Sequence, residues 1–245
     1  FFDNKVALEY SQKKLFYSSN TTLEEEIEIL ATCPLLFEPS TKWHYSVSID
    51  VLARIIEVVE QDTLQNILNK RIFLPLEMTD AGFSISNDQQ YRLMKSYEYT
   101  LDKKELSELS LLGIGLYGYP LNNSNYARGG HGLYCSLNDY AKFANMLLSG
   151  KTKSGVTILS ENMLRLASTN HIQNNLLPLE IKIPGDEDAT NDLEPYGWGL
   201  GFRVLIDLEK SIHIKSFGEF GWSGAAKTYF LVDRKNSLTA VLMTQ

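Results

Sequence analysis

Two serines in the chain lie in short patterns that are typical of covalent catalysis. The first, Ser11, forms with Lys14 the pattern SxxK, which places a hydroxyl group and an amine one helical turn apart. Such a lysine deprotonates the serine only if burial lowers the pKa of its ammonium group. Because the residues around this pair are polar, we interpret the stretch as solvated surface.

The second serine, Ser223, lies in residues 221–225, which read GWSGA. This sequence resembles the turn that presents a nucleophilic serine in α/β-hydrolases, but that turn leads directly from a strand into a helix. Residues 228–232 have the alternating pattern of a strand instead, which argues against a nucleophile elbow.

Residues 149–152 read SGKT, like the end of a phosphate-binding loop, but they follow a helical pattern. We interpret them as the solvated end of a helix.

The sequence carries no pattern that predicts a metal ion or an organic cofactor. Its four histidines are far apart and form neither an HExxH motif nor a paired ligand motif. They are His44, His131, His171 and His213. We therefore expect no metal site and no cofactor.

The composition is that of a folded globular domain. Of the 245 residues, 44% are hydrophobic and 22% are charged, which excludes an intrinsically disordered chain. The net charge of −7 argues against a nucleic-acid partner, because such proteins cluster lysine and arginine to displace counterions. The sequence has no apolar run long enough for a transmembrane segment.

Residues 1–195 have mainly helical patterns. Thr22 and Glu25 predict a capping box for a helix over residues 23–31. Ser48 is predicted to cap a second helix. The apolar stripe of this second helix consists of Ile49, Leu52, Ile55, Ile56 and Val59. Three further helices are predicted to begin at Thr63, Ser136 and Ser160.

The last fifty residues alternate with the period of strands. Residues 200–206 and 212–217 predict a hairpin, and residues 228–232 and 238–244 predict two more strands. Residues 185–195 are acidic and polar, so we expect an exposed loop there. Short links between strands favour an antiparallel sheet. Helices followed by such strands, over 196–245, predict the α+β class.

Four segments follow one another in the order of a known superfamily. Residues 35–48 (LLFEPSTKWHYSVS) are similar to its pattern LLFEPGTxWxYS, and residues 72–83 (IFLPLEMTDAGF) to IFxPLGMxDTxF. Residues 129–136 (GGHGLYCS) are similar to GGxGLxST, and residues 218–226 (GEFGWSGAA) to its third motif in the Trp-Gly-Gly form. The chain thus resembles the β-lactamase and penicillin-binding-protein superfamily of serine hydrolases, closest to family VIII carboxylesterases and class C β-lactamase-related proteins.

The resemblance implies an α/β/α sandwich around an antiparallel sheet. Residues 1–245 would be the C-terminal portion of one such domain, without its N-terminal part and its last helix. The nucleophilic serine and its lysine would lie in an SxxK motif upstream of residue 1, since only 34 residues separate Ser11 from Tyr45. A chain without that motif is expected to be inert.

The resemblance also implies a role for each site residue. Tyr45 would accept the proton of the nucleophilic serine and return it to the leaving group, and the backbone amide of Ala225 would donate to the oxyanion. An ordinary tyrosine has a pKa near ~10, so this role requires an environment that favours the phenolate. The residues implied to line the substrate cleft, the last three of them on an edge strand, are Val47, Trp222, Ser223 and Gly224. Without this frame, Tyr45 would be read as a core aromatic residue with a hydrogen-bonded hydroxyl group.

Two departures from the superfamily's motifs favour one substrate class. Val47 stands where β-lactamases and transpeptidases usually carry asparagine, and Trp222 stands where they carry lysine. The expected function is therefore hydrolysis of small neutral esters through an acyl-enzyme, with a small-molecule ester or acyl substrate. The alternatives are a penicillin-binding protein or β-lactamase acting on D-Ala-D-Ala peptides or β-lactams, and a non-catalytic binding module of the same fold.

Overall fold

Six α-helices form the helical part of the described chain. The computed structural model describes residues 5–16, 21–100, 104–109, 127–179, 181, 193–211, 216–224 and 227–244. The helices are α1 (Lys5–Gln12), α2 (Leu23–Ala31), α3 (Ser48–Glu60), α4 (Leu64–Leu68), α5 (Leu137–Ser149) and α6 (Glu161–Ala167). A π-helical turn (Asn69–Phe73) continues α4, and Gln90–Arg92 and Asn174–Leu176 form short 3-10 turns.

Four predicted helix starts are confirmed by side-chain caps. Thr22 accepts a hydrogen bond from the backbone amide of Glu25, whose carboxylate accepts from the amide of Thr22 in return. Thr63, Ser136 and Ser160 each accept from a backbone amide three residues further on. These bonds satisfy amides that have no partner inside the first turn of α2, α4, α5 and α6.

The predicted cap at Ser48 is wrong, and the apolar stripe of α3 does not face a core. The helix already includes Ser48, so the cap position falls to Val47, which has no side-chain acceptor. Four members of the predicted stripe are between 42% and 73% exposed: Ile49, Leu52, Ile55 and Val59. Asp50 and Ala53 are the buried residues of this helix. A large apolar helix face is therefore uncovered among the described residues.

Seven strands form two antiparallel sheets in the described residues. A hairpin that the sequence patterns did not predict joins β1 (Ser96–Thr100) and β2 (Glu105–Leu109). The larger sheet has the order β3-β4-β5-β6-β7. Its strands are β3 (Tyr196–Trp198), β4 (Arg203–Leu205), β5 (Phe220–Ser223), β6 (Thr228–Asp233) and β7 (Leu238–Met243). Helices with an antiparallel sheet confirm the predicted α+β class.

The predicted hairpin of residues 200–206 with 212–217 is wrong where the structure describes it. Only residues 203–205 of the first segment form a strand, β4, and this strand pairs with β3 and β5. Gly201, with a φ of 96°, helps the chain turn back tightly from β3 into β4. Residues 212–215 lie outside the described residues, as do residues 185–192 of the predicted acidic loop; residues 193–195 form a turn.

The two faces of the larger sheet differ in how they are covered. Helix α5 packs on β6 and β7. The core on this side consists mainly of Phe73, Ala144, Leu147, Leu164, Phe220, Phe230 and Val232. On the opposite face, Tyr229, Leu238 and Leu242 are between 42% and 55% exposed. A second apolar surface is thus open to solvent.

In the described parts of the chain, no helix combines the length and the apolar character needed to cross a membrane.

Candidate active site

Tyr45 and Trp222 are in direct contact although 177 residues separate them in sequence. The indole Nε1–H of Trp222 donates a hydrogen bond to the hydroxyl oxygen of Tyr45, with a distance of 3.1 Å between the two heavy atoms. The centroids of the two rings are 5.5 Å apart. The resemblance predicts that these residues face the same cleft, and the structure places their side chains in contact.

All three tryptophans of the sequence gather around Tyr45. Trp198 packs edge to face on Trp222, with ring centroids 4.6 Å apart, and it lies 6.2 Å from Tyr45. Trp43 lies 5.4 Å from Trp198 and 6.5 Å from Tyr45. Each of the four rings is half-buried. We call Trp43, Tyr45, Trp198 and Trp222 the aromatic cluster; it is an apolar wall that can contact the carbon skeleton of a ligand.

The prediction that Trp222, Ser223 and Gly224 lie on an edge strand is wrong for the described sheet. In the described sheet β5 lies between β4 and β6. The last pair with β4 is Arg203 with Gly221, so Trp222 and Ser223 extend past the end of that short neighbour. On the other side the pairing with β6 continues as far as the amide of Gly224. At the end of β5 the backbone is therefore paired with β6 on one side and is not paired with β4 on the other.

The remaining predicted site residues are placed as follows. Val47 is half-buried at the N-cap position of α3, two residues after Tyr45. Ser223 is half-buried at the end of β5, and Gly224 is exposed. A Cβ atom on Gly224 would lie 2.6 Å from the Thr228 hydroxyl oxygen, so a larger residue there would require the Thr228 side chain to move. Ala225 lies outside the described residues, and its role as an oxyanion donor stays a prediction.

A buried polar cluster beneath α3 was missed by the sequence patterns. Arg128 and Glu26 form a fully buried ion pair, and an Arg128 Nη2–H donates to the carbonyl of Thr21. Asp50, which is 2% exposed, accepts a hydrogen bond of 3.1 Å from the amide of Gly130. Asp50 is the one acidic residue in the first turn of α3, and this isolated charge was the available signal.

The glycines of the segment 129–136 allow it to pack directly on α3. A Cβ atom on Gly129 would lie 2.2 Å from the carbonyl oxygen of Ile49, and one on Gly130 would lie 2.9 Å from a carboxylate oxygen of Asp50. Neither contact is sterically possible without a shift of α3 or of Asp50. Because α3 begins three residues after Tyr45, this packing fixes the helix start next to the candidate site.

Two groups in this region have opposite pKa shifts. Burial raises the pKa of Asp50 to about 6. The hydrogen bond from the Gly130 amide and the positive charge of Arg128 lower this pKa, but by less than burial raises it. Burial, together with the Arg128 charge, lowers the pKa of His131 to about 4. The distance between His131 Nδ1 and an Asp50 carboxylate oxygen is 3.9 Å. At pH 7 Asp50 is therefore charged and His131 is neutral.

These shifts predict opposite pH dependences of stability for two variants. A raised carboxyl pKa means that the folded state binds the Asp50 proton more tightly than the unfolded state does. The contribution of Asp50 to the free energy of unfolding therefore falls as the pH rises from about 4 to about 6. The lowered His131 pKa gives a contribution that rises from about pH 4 to about pH 6.5. Each is worth roughly 3 kcal/mol, so in the wild type they nearly cancel.

Urea unfolding of the two variants between pH 4 and pH 7 measures the two contributions separately. Relative to the wild type, the free energy of unfolding of Asp50→Asn should increase with pH, and that of His131→Gln should decrease. The same slope for both variants and the wild type would contradict these assignments.

The other chemical motifs do not join this site. Ser11 lies at the end of α1 and Lys14 lies beyond it with a φ of 53°; both are exposed, which confirms a solvated surface stretch. Gly150 ends α5 in the left-handed conformation, as expected for a helix end. In the described residues the element that follows Ser223 is strand β6 and not a helix, which argues against a nucleophile elbow. His213 lies outside the described residues, which contain no group of three His, Cys, Asp or Glu side chains placed to hold a metal ion.

Comparison with known proteins identifies relatives over nearly the whole chain. The family model described as Beta-lactamase matches residues 5–245. Protein Rv1367c of Mycobacterium tuberculosis is 30% identical over 225 residues, which are 88% of this chain and 52% of that protein. The lovastatin esterase of Penicillium rubens is 29% identical over 222 residues, or 88% of this chain and 53% of that enzyme. The chain thus spans about half the length of these relatives.

The fold is also similar to solved structures. EstCE1, described as a hydrolase with promiscuous acyltransferase activity, superposes with a TM-score of 0.76 and 23% sequence identity. The superposition covers 96% of this chain and 60% of EstCE1. The likeness confirms the predicted fold, in which helices pack on an antiparallel sheet.

Proposed function

The chain belongs to the β-lactamase family, and on that basis we propose that it is part of a serine hydrolase that cleaves small neutral esters through an acyl-enzyme. The observation that carries the proposal is the hydrogen bond between Trp222 and Tyr45. It joins the second and the third motif of the resemblance at one point, where a proton-transfer group meets the strand that would bind the substrate.

In the proposed reaction, Tyr45 moves a proton twice. The hydroxyl oxygen of a serine attacks the ester carbonyl while its proton passes to the Tyr45 oxygen, and Tyr45 then gives that proton to the departing alcohol. Water hydrolyses the acyl-enzyme by the same transfer in reverse. The amide of Ala225 would donate to the oxyanion, which is worth roughly 3 kcal/mol in the transition state.

The nucleophile of this reaction is proposed to lie outside residues 1–245. Ser11 and Lys14 are unsuitable, because both are exposed and Lys14 follows the end of α1. Ser223 lies on β5, and the next element of the described chain is strand β6 rather than the helix that a nucleophile elbow requires. A serine and lysine in an SxxK motif upstream of Phe1 would complete the site.

The proposal of a neutral ester rests on what the cleft residues lack. Val47 carries no side-chain hydrogen-bond donor. Trp222 carries no charge, and its indole N–H already donates to Tyr45, so neither residue would pair with the amide or the carboxylate of a β-lactam. The aromatic cluster offers apolar surface to an acyl or alcohol group instead. The relative named as a lovastatin esterase supports an ester substrate.

The uncovered apolar surfaces support the view that residues 1–245 are the C-terminal portion of one domain. The exposed face of α3 and the exposed side chains Tyr229, Leu238 and Leu242 would be costly to leave in water. A preceding segment that carries the SxxK helix, and a helix following β7, would cover such surfaces. About half the length of each matched relative lies outside the part that this chain matches, which is room enough for such segments.

Hydrolysis of p-nitrophenyl butyrate by the longer protein tests this function. We expect a burst of p-nitrophenol equal to the enzyme concentration, followed by a slower steady rate, because the acyl-enzyme accumulates. Residues 1–245 alone should produce neither phase. An inactive longer protein that still binds acyl compounds would favour a non-catalytic binding module, and activity of residues 1–245 alone would place the nucleophile within this chain.

A further inference from the structure

We propose that Trp222 is a positioning residue, which holds the oxygen of Tyr45 in place for proton transfer through the hydrogen bond that its indole N–H donates. This inference rests on the proposed function, since it concerns the group that would move the proton in that reaction. It gives Trp222 a role that is distinct from lining the substrate cleft.

The direction of the hydrogen bond follows from the chemistry of the two groups. An indole N–H donates and has no lone pair to accept, so the oxygen of Tyr45 is the acceptor. The distance of 3.1 Å between Nε1 and that oxygen is within the ordinary range. A phenolate oxygen accepts such a bond more strongly than a phenol oxygen does. The contact therefore holds the Tyr45 oxygen at a fixed distance and direction from the indole, as a proton transfer with a serine requires.

The two partners differ in how firmly the backbone holds them. Tyr45 lies in an irregular segment, outside the helices and strands of the described residues. Trp222 lies on β5 and pairs with Phe230 of β6, which in turn pairs with Val241 of β7. Trp198, packed edge to face on Trp222, further restricts the indole ring. The sheet thus supplies a fixed donor that orients a side chain on a less regular segment.

The role of Trp222 in the reaction is to position and not to transfer. The proton that moves comes from the serine hydroxyl and goes to the Tyr45 oxygen, while the indole proton stays on Nε1. Loss of the donor should therefore lower the fraction of enzyme molecules in which the Tyr45 oxygen is correctly placed, and it should leave substrate binding less affected. We expect a decrease in kcat of about 10- to 100-fold, the range for a hydrogen bond to a charged group.

A double-mutant cycle separates this role from substrate contact. In the longer protein, Trp222→Phe keeps an aromatic ring and removes the N–H, and it should lower kcat for p-nitrophenyl butyrate much more than it raises KM. In a Tyr45→Phe background, Trp222→Phe should have little further effect on kcat, because the hydroxyl oxygen that accepts the indole hydrogen bond is already absent. Trp43→Phe removes an indole from the same aromatic cluster and should act additively with Tyr45→Phe. Equal effects of Trp222→Phe in both backgrounds would overturn the inference.

An NMR measurement tests the hydrogen bond without any activity. With 15N-labelled tryptophan, the indole proton of Trp222 should move upfield in Tyr45→Phe by more than those of Trp43 and Trp198, whose dispersed signals report that the variant is folded. An unchanged Trp222 signal would overturn the inference even if esters are hydrolysed. A shifted signal in a protein that hydrolyses no ester would instead refute the proposed function, and with it the catalytic part of the inference, while the contact itself would stand.

Discussion

Replacing Tyr45 with phenylalanine in the longer protein is expected to lower kcat for p-nitrophenyl butyrate by about 10²- to 10⁴-fold. The substitution keeps the ring and its contacts with Trp43, Trp198 and Trp222 but removes the oxygen that exchanges the proton. A proton-transfer group acts mainly in the transition state, so KM should change far less than kcat.

A matched control separates this effect from the general consequences of losing a tyrosine hydroxyl. Tyr91 is 85% exposed and lies in a 3-10 turn, so Tyr91→Phe should leave the steady-state kinetics unchanged. The melting temperatures of both variants show whether either is destabilised. A Tyr45→Phe enzyme that turns over at the wild-type rate would remove Tyr45 from the mechanism.

The second large effect concerns the choice between substrates. We expect kcat/KM for p-nitrophenyl butyrate to exceed that for nitrocefin by about 10²-fold or more. A β-lactam brings a carboxylate and an amide into a cleft in which neither Trp222 nor Val47 pairs with them, and each unpaired buried polar group costs about 1–3 kcal/mol.

The variant Val47→Asn provides the corresponding gain-of-function control. It introduces an amide at the start of α3, where the structure places Val47 without a side-chain hydrogen bond. The ratio of kcat/KM values should then move toward nitrocefin. Wild-type turnover of nitrocefin at the rate of the ester would overturn the esterase assignment and favour the β-lactamase alternative.

Local signals predicted four helix starts correctly because each depends on a few adjacent residues. The caps at Thr22, Thr63, Ser136 and Ser160 are bonds across three residues, and all of them form. The pairing of the short strands was not predictable in the same way. Strands β3 and β4 have three residues each, too few to show an alternating pattern, and their register depends on the turn at Gly201.

The candidate site was only partly predictable, since its parts are distant in sequence. The order of four motifs predicted that Tyr45 and Trp222 would face one cleft, but no spacing predicts a hydrogen bond across 177 residues. Trp198 lies outside those motifs and was missed. Glu26 belongs to a run of acidic residues that looks like a solvated face of α2, yet it is buried against Arg128. Such pairs depend on tertiary packing, which a single sequence does not reveal.

Covalent labelling with a fluorophosphonate tests the central claim most directly, namely that residues 45 and 222–225 complete a site whose serine lies upstream of residue 1. The reagent phosphonylates an activated serine, and peptide mapping by mass spectrometry identifies which one. We predict a single adduct in the longer protein, on a serine of an SxxK motif outside residues 1–245, and no adduct on residues 1–245 alone. An adduct on Ser11 or Ser223, or an unlabelled longer protein, would contradict the account.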